Sequence, residues 1–313
     1  KTAYEMLRSL VGSEMCIRDR SCPNQEGDDP VPARIALITD STADLPPALI
    51  QERGIYVVPQ NIIWGRETLK DGIDLDAERF YKRLAAESEL PKTAQPTPTD
   101  YAELYQRIRH ETGVEAIVNI TISAELSGTY ASAEQAARMV DFPVYVVDSR
   151  NVSMGEGLIV LKAAQARDAG ASTAEVTQVA RDMISRSNII FTVNTLEYLH
   201  RGGRIGNAKW LLGTALSIKP ILHVKNGRID ALESVRTRRR ALNRLVEVFS
   251  EQIDPAKPLW VGVVHGDAAE EAAAIKAEIV ARWKPELLID GTVGLAVGTH
   301  AGPGVVGMAF LQG

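Results

Sequence analysis

At 313 residues, 45% hydrophobic and 24% charged, the chain has the composition of an ordinary globular protein and room for two domains. No stretch approaches the roughly 18 uninterrupted apolar residues of a membrane span. A net charge of −5 argues against a dedicated nucleic-acid binder. Both cysteines, Cys16 and Cys22, fall in the first 33 residues, which leaves the remainder without a thiol and fits a reducing compartment.

Those first 33 residues stand apart. LRSLVGSEMCIRDR (7–20) resembles translated sequencing-adapter read-through, and its charges interrupt any signal-peptide core. SCPNQEGDDPVP (21–32) reads as an unstructured leader. From residue 34 strands and helices alternate. RIALITD (34–40) is a compact apolar run of the kind buried parallel strands use. A second strand is expected over 55–64, followed by a turn-rich GRETLKDG. Asp76 caps a helix to about Glu87, with Leu75 and Phe80 as its staple. A further helix starts at Thr99 or Asp100 and ends at Gly113, before a strand over 115–122, a helix over 127–139 and a strand over 144–149. This is the pattern of βαβ units and a mainly parallel sheet.

After Ser153 the pattern changes. Helices over 154–169 and 173–186 lead to a strand over 188–194 and a hairpin, ILHVKNGRIDALESV (221–235), that turns on Asn226–Gly227. A helix through Gln252, a strand over 259–264, a helix over 268–282 and a run of strands complete the chain. The expected fold class is α/β, with a parallel-sheet domain over 34–155 and an α+β domain with a mixed or antiparallel sheet over 156–313.

GPGVVG (302–307) satisfies G-x-G-x-x-G, but no helical pattern follows it, so it is not a dinucleotide fingerprint. Phosphate-loop and nucleophile-elbow motifs are lacking, and the histidines have no metal-ligand spacing. Neither a catalytic residue nor a metal is expected. The first half does carry small hydroxyl residues at strand ends. Thr39, Asp40, Ser41 and Thr42 follow the first strand, Thr93 lies in the loop KTAQPTP, and Ser123 and Ser127 bracket the end of the third strand. In open α/β sheets ligands bind beyond the carboxyl ends of the strands. Ser127-Gly128-Thr129 also opens a helix, whose free N–H groups suit an anion. Capping and turn chemistry accounts for any one of these hydroxyls; their gathering at one edge points to a site for an anion or polar headgroup. In the second half, RGGRIG (201–206) holds two arginines, and Arg236, Arg238, Arg239 and Arg240 crowd a helix N-terminus where cations oppose the dipole. A solvated face and an acidic or phosphate-bearing partner both remain open there.

TDSTADLP (39–46), VVPQNI (57–62), DGIDLD (71–76), KTAQPTP (92–98), ISAELSGTYASA (122–133), VVDSRNVSMGEG (146–157), LEYLHRGGRI (196–205), LSIKPIL (216–222) and GTHAGPGVVG (298–307) together resemble the DegV family. The resemblance implies a bacterial, cytoplasmic two-domain protein that holds a long-chain fatty acid between its domains. It further implies no enzymatic activity of the chain's own, no further cofactor and no stable membrane anchor. A separate fatty acid kinase subunit receives the carboxylate and makes the acyl phosphate. Carried over by position, Thr93 and Ser127 bind the carboxylate and His300 lies near it, with Ser123 alongside. Ala94 and Ala124 stand where the family commonly has serine, leaving one hydroxyl at each place, Thr93 and Ser123. Arg204 and Arg236, with Arg201, match positions facing the kinase and need not touch the ligand. A reading from another class is a small-molecule phosphotransferase, with phosphate on the hydroxyl edge and a metal on Asp40 or Asp148.

Overall fold

The computed structural model describes residues 34–213 and 218–312, so the leader expected over 1–33 lies outside the described residues. β1 (Ile35–Asp40) is buried along its whole length and ends on Asp40, whose carboxyl caps the 3-10 turn at Ser41–Ala43. α1 (Pro47–Glu52) starts on a proline, the residue whose missing N–H costs nothing at a helix start. The single strand expected over 55–64 is two: β2 (Ile55–Val58) and β3 (Asn61–Trp64), which pair in different sheets. The break falls at Pro59–Gln60, where proline cannot donate to a ladder. β4 (Glu67–Lys70), α2 (Ala77–Ala86) and β5 (Lys92–Ala94) follow, with Asp76 capping α2 as expected. β4 and β5 pair with β3 on either side in a small antiparallel sheet, and those two strands fall in segments read from sequence as turn and loop.

α3 (Pro98–Thr112) carries a full capping box between Thr97 and Asp100 and ends on left-handed Gly113. β6 (Ala116–Thr121), α4 (Thr129–Ala137) and β7 (Val144–Asp148) complete a parallel sheet of order β2-β1-β6-β7. α5 (Met154–Asp168) is followed by α6 (Thr173–Ile184). α5 is apolar on nearly every side in its first three turns, because it packs against β1 and β6 on one side and later strands on the other. Gly157 permits the close approach: a Cβ there would stand 2.8 Å from the Ala43 carbonyl oxygen.

β8 (Ser187–Thr192) precedes α7 (Glu197–Arg201), a 3-10 segment over Gly206–Gly213, and the predicted hairpin of β9 (Lys219–Lys225) and β10 (Arg228–Val235). Its turn residues Asn226 and Gly227 have φ of 52° and 81°, as that turn chemistry requires. α8 (Arg238–Gln252), β11 (Leu259–Gly266), α9 (Ala269–Trp283) and β12 (Leu287–Thr292) follow. The last stretch is not all strand. α10 (Leu295–Ala301) intervenes before β13 (Val305–Gln312). The six-stranded sheet runs β10-β9-β8-β13-β11-β12, antiparallel except for the β11–β12 pair. The fold is therefore the expected α/β class, a parallel sheet followed by a mixed one. One apolar core runs through both: Leu37 and Val118 share it with α5, Phe191, Val264 and Leu311.

Candidate functional site

The order β2-β1-β6-β7 turns back between β1 and β6, and the crevice beyond the carboxyl ends of such a pair is where open sheets hold ligands. Asp40 stands in that crevice. Its Oδ2 accepts the Ile122 amide at 2.9 Å, and its Oδ1 accepts the Thr42 amide, the Thr42 hydroxyl and Gln60 Nε2. A cleft of about 780 Å³, counting its open mouth, separates this edge from the six-stranded sheet. Its walls are aliphatic and aromatic, with Ile122, Ile189, Phe191, Val264, Val297 and Val305 among them.

Polar side chains line part of it. Thr93 Oγ1 lies 2.8 Å from His300 Nε2, joining β5 to α10 across 207 residues of sequence. Ser127 and Arg204 also line the cleft. An outer vestibule shares Thr93, Arg204 and His300 with the cleft and adds Lys92, Tyr198 and Arg201. Three polar side chains thus line both cavities. Burial pushes the His300 pKa down to about 4, with the Arg204 charge adding to it, so the imidazole is neutral at pH 7. Its Nδ1 is buried with no hydrogen-bond partner among the described residues.

α10 holds His300 because its start is tied to the other sheet. Asp71 accepts the Leu295 and Ala296 amides at 3.0 and 3.2 Å, and Asp44 accepts the Gly294 amide at 2.8 Å. These carboxyl oxygens satisfy amides that a helix start leaves without partners. Burial nevertheless raises both carboxyls, Asp44 to about 8.

The structure brings Thr93, Ser127 and His300 to one place and sets two expected residues in different roles. Ser123 does not line the cleft: its buried hydroxyl donates to the Gly227 carbonyl at 2.8 Å and pins the β9–β10 turn. Arg204 does line it, contrary to the expectation that it need not touch a ligand. Its Nε and Nη1 donate to the Leu126 and Gly202 carbonyls, which fixes the guanidinium beside His300. Arg201 sits on the vestibule rim, paired with Glu197 at 2.7 Å. Arg236 is exposed one residue before the Thr237 cap of α8 and lines neither cavity, while Arg238 is engaged with Glu271. Gln60, which lines the cleft beside Thr42, was not anticipated as part of the site, whereas Thr42 and the Ser127-Gly128-Thr129 turn belong to the hydroxyl edge read from sequence. Gln60 had one signal, a polar residue after proline inside the apolar run VVPQNII.

The alternative metal site finds no support in the geometry. Asp148 spends Oδ1 on the Ala124 and Arg150 amides. Among the described residues no three His, Cys, Asp or Glu gather as metal ligands would. Among them, too, no helix is long and apolar enough to cross a membrane.

The sequence pattern described as "Uncharacterised protein, DegV family" matches residues 34–313. A DegV domain-containing protein of Streptomyces coelicolor is 38% identical over 277 residues, covering 88% of this chain and 97% of that one. A DegV family protein from Thermus thermophilus, whose solved structure is described as fatty acid binding, superposes with a TM-score of 0.84 at 31% identity. That match covers 89% of this chain and 99% of the other. Bacillus subtilis DegV, described as a fatty acid binding protein, superposes with a TM-score of 0.83 at 32% identity, covering 90% of this chain and all of that one.

Proposed function

Because this chain belongs to the DegV family, we propose that it binds one long-chain fatty acid in the cleft and presents the carboxylate to a separate kinase subunit for conversion to acyl phosphate. The observation that carries the reading is a mostly apolar cleft lined by Thr93, Ser127, Arg204 and His300, with Thr93, Arg204 and His300 also lining a vestibule. Burying an acyl chain supplies most of the affinity: at ~0.8 kcal/mol per methylene, about fifteen methylenes contribute ~12 kcal/mol before binding entropy is subtracted. The headgroup needs donors, and two hydroxyls, a neutral imidazole and one guanidinium provide them. On this reading residues 34–155 and 156–313 are the two domains that hold the lipid. The protein is a cytoplasmic carrier without chemistry of its own, needing no cofactor or metal, and Arg201 and Arg236 serve the kinase.

Organic extraction of purified protein followed by mass spectrometry tests it. Near-stoichiometric fatty acid is the expected result; nucleotide affinity with no lipid favours a phosphotransferase. Thr93→Val or Ser127→Ala removes a hydrogen bond to a charged group, worth about 1.5–3 kcal/mol. Fatty-acid affinity should then fall by about one to two decades, with a fatty alcohol little affected.

A further inference from the structure

We propose that a one-way hydrogen-bond relay, Asp40 to Gln60 to Thr129 to Ser127, fixes the Ser127 hydroxyl as a donor into the cleft, making Gln60 and Thr129 positioning residues for an anionic headgroup. The inference rests on the carrier reading and names the parts of the site that set its preference for an acceptor.

Proton counting gives the relay its direction. Thr42 Oγ1 lies 2.5 Å from Asp40 Oδ1 and 3.1 Å from Glu156 Oε2, yet a hydroxyl has a single proton. One of the two carboxyls must therefore be the acid form. Asp40 receives two backbone amides, those of Thr42 and Ile122, whose direction is fixed. Among the described residues Glu156 is fully buried with no cation beside it, and it receives no backbone amide, only Thr39 Oγ1 besides Thr42. Burial raises both carboxyls, and Glu156 lies well above its ordinary value. Glu156 therefore keeps the proton, and Asp40 is the carboxylate.

A carboxylate at 3.1 Å then fixes the Gln60 amide, because the opposite flip would set Oε1 against Asp40. The two protons of Nε2 go to Asp40 Oδ1 and to Thr129 Oγ1, the latter at 3.0 Å. Thr129, having accepted from Gln60, donates onward to Ser127 Oγ at 2.8 Å in preference to Gln60 Oε1 at 3.4 Å. The Thr129 amide also donates to Ser127 Oγ, at 3.3 Å. Both lone pairs of Ser127 are then occupied, and its own proton is directed to the cleft that Ser127 lines. Asp40, Gln60 and Thr129 are all buried, so water does not compete along the chain.

The test compares delipidated wild type, Thr129→Val, Thr129→Ser and Gln60→Met, titrated separately with palmitate and 1-hexadecanol. With the relay, Thr129→Val and Gln60→Met each weaken palmitate by about tenfold and hexadecanol by less than about threefold, because only the anion draws fully on an oriented donor. Thr129→Ser, which keeps the hydroxyl, restores palmitate binding. If Thr129→Val does not fold, Gln60→Met carries the comparison, since it cuts the relay at a different link. Unchanged palmitate binding in the cut variants, equal losses for both ligands, or no rescue by Thr129→Ser overturns the relay while leaving the carrier reading standing. Wild-type protein that takes up no palmitate overturns the carrier reading and the relay's role with it.

Discussion

Adding one methyl group at residue 202 should weaken the headgroup site without touching a single polar side chain. Gly202 ends α7 with φ of −74°, a conformation any residue adopts, so alanine brings no backbone strain. A Cβ there would stand 2.8 Å from Cε1 of His300, closer still to Nδ1, and 3.1 Å from the Tyr198 carbonyl oxygen. Unstrained carbon contacts lie at about 3.5–4.0 Å, so the ring must retreat by on the order of 1 Å. Thr93 holds that ring by a bond of 2.8 Å, and a shift of such size stretches it past the useful range. Overpacking costs about 1–3 kcal/mol of stability. Loss of an ordered donor to a charged headgroup costs about 1.5–3 kcal/mol of binding. Gly202→Ala should therefore bind palmitate about ten- to a hundredfold more weakly by calorimetry, with a modest fall in melting temperature. Wild-type affinity, with the imidazole still against Thr93 in a crystal structure of the variant, would refute the reasoning.

Asp44 and two arginines give further tests. Burial raises Asp44 to about 8 in the folded chain against 3.8 unfolded, so its contribution is fully present below about pH 4 and is lost as pH rises toward about 8. Asp44→Asn keeps an acceptor for the Gly294 amide and should reduce the drop in melting temperature between pH 5 and pH 8; an equal drop in both proteins counts against the assignment. Arg204→Glu places an anion beside the ligand carboxylate and should abolish palmitate binding, by about a hundredfold or more. Arg236→Glu should leave binding intact and slow acyl-phosphate formation with a cognate kinase. Lipid loss in Arg236→Glu would place that residue in the headgroup site.

Long periodic elements were legible because their local signals agree. α3 has a capping box at one end and a left-handed glycine at the other, and β1 and β6 are apolar runs of parallel-strand length. Short elements stabilised by distant partners were not. β4 and β5 are strands because β3 lies between them, and nothing within GRETLKDG or KTAQPTP announces that pairing. α10 contains Gly298 among seven residues and follows a glycine N-cap, so its propensity is poor. It forms where Asp44 and Asp71, more than two hundred residues earlier, accept its first amides. The site divides along the same line. Hydroxyls at strand ends are visible in the residues themselves, whereas the meeting of Thr93 with His300 has no local signal and was expected only from the family resemblance. Ser123 shows the converse: a hydroxyl at a strand end that a hairpin turn had already claimed.

α5 has a consequence for how the molecule comes apart. Its residues Leu158, Ile159 and Val160 belong to the same core as strands of both sheets, so neither sheet can cover its inner face without that helix. Severing the chain beside α5 would leave one half with a helix lacking its second wall and the other with a bare sheet. The two sheets should therefore melt together, in a single calorimetric transition instead of two. An acyl chain lodged against Phe191, Val264 and Ile122 would shift that whole transition upward, as a ligand bound only by the folded state must. Loading with lipid thereby becomes readable as thermal stability, in residues far from the headgroup.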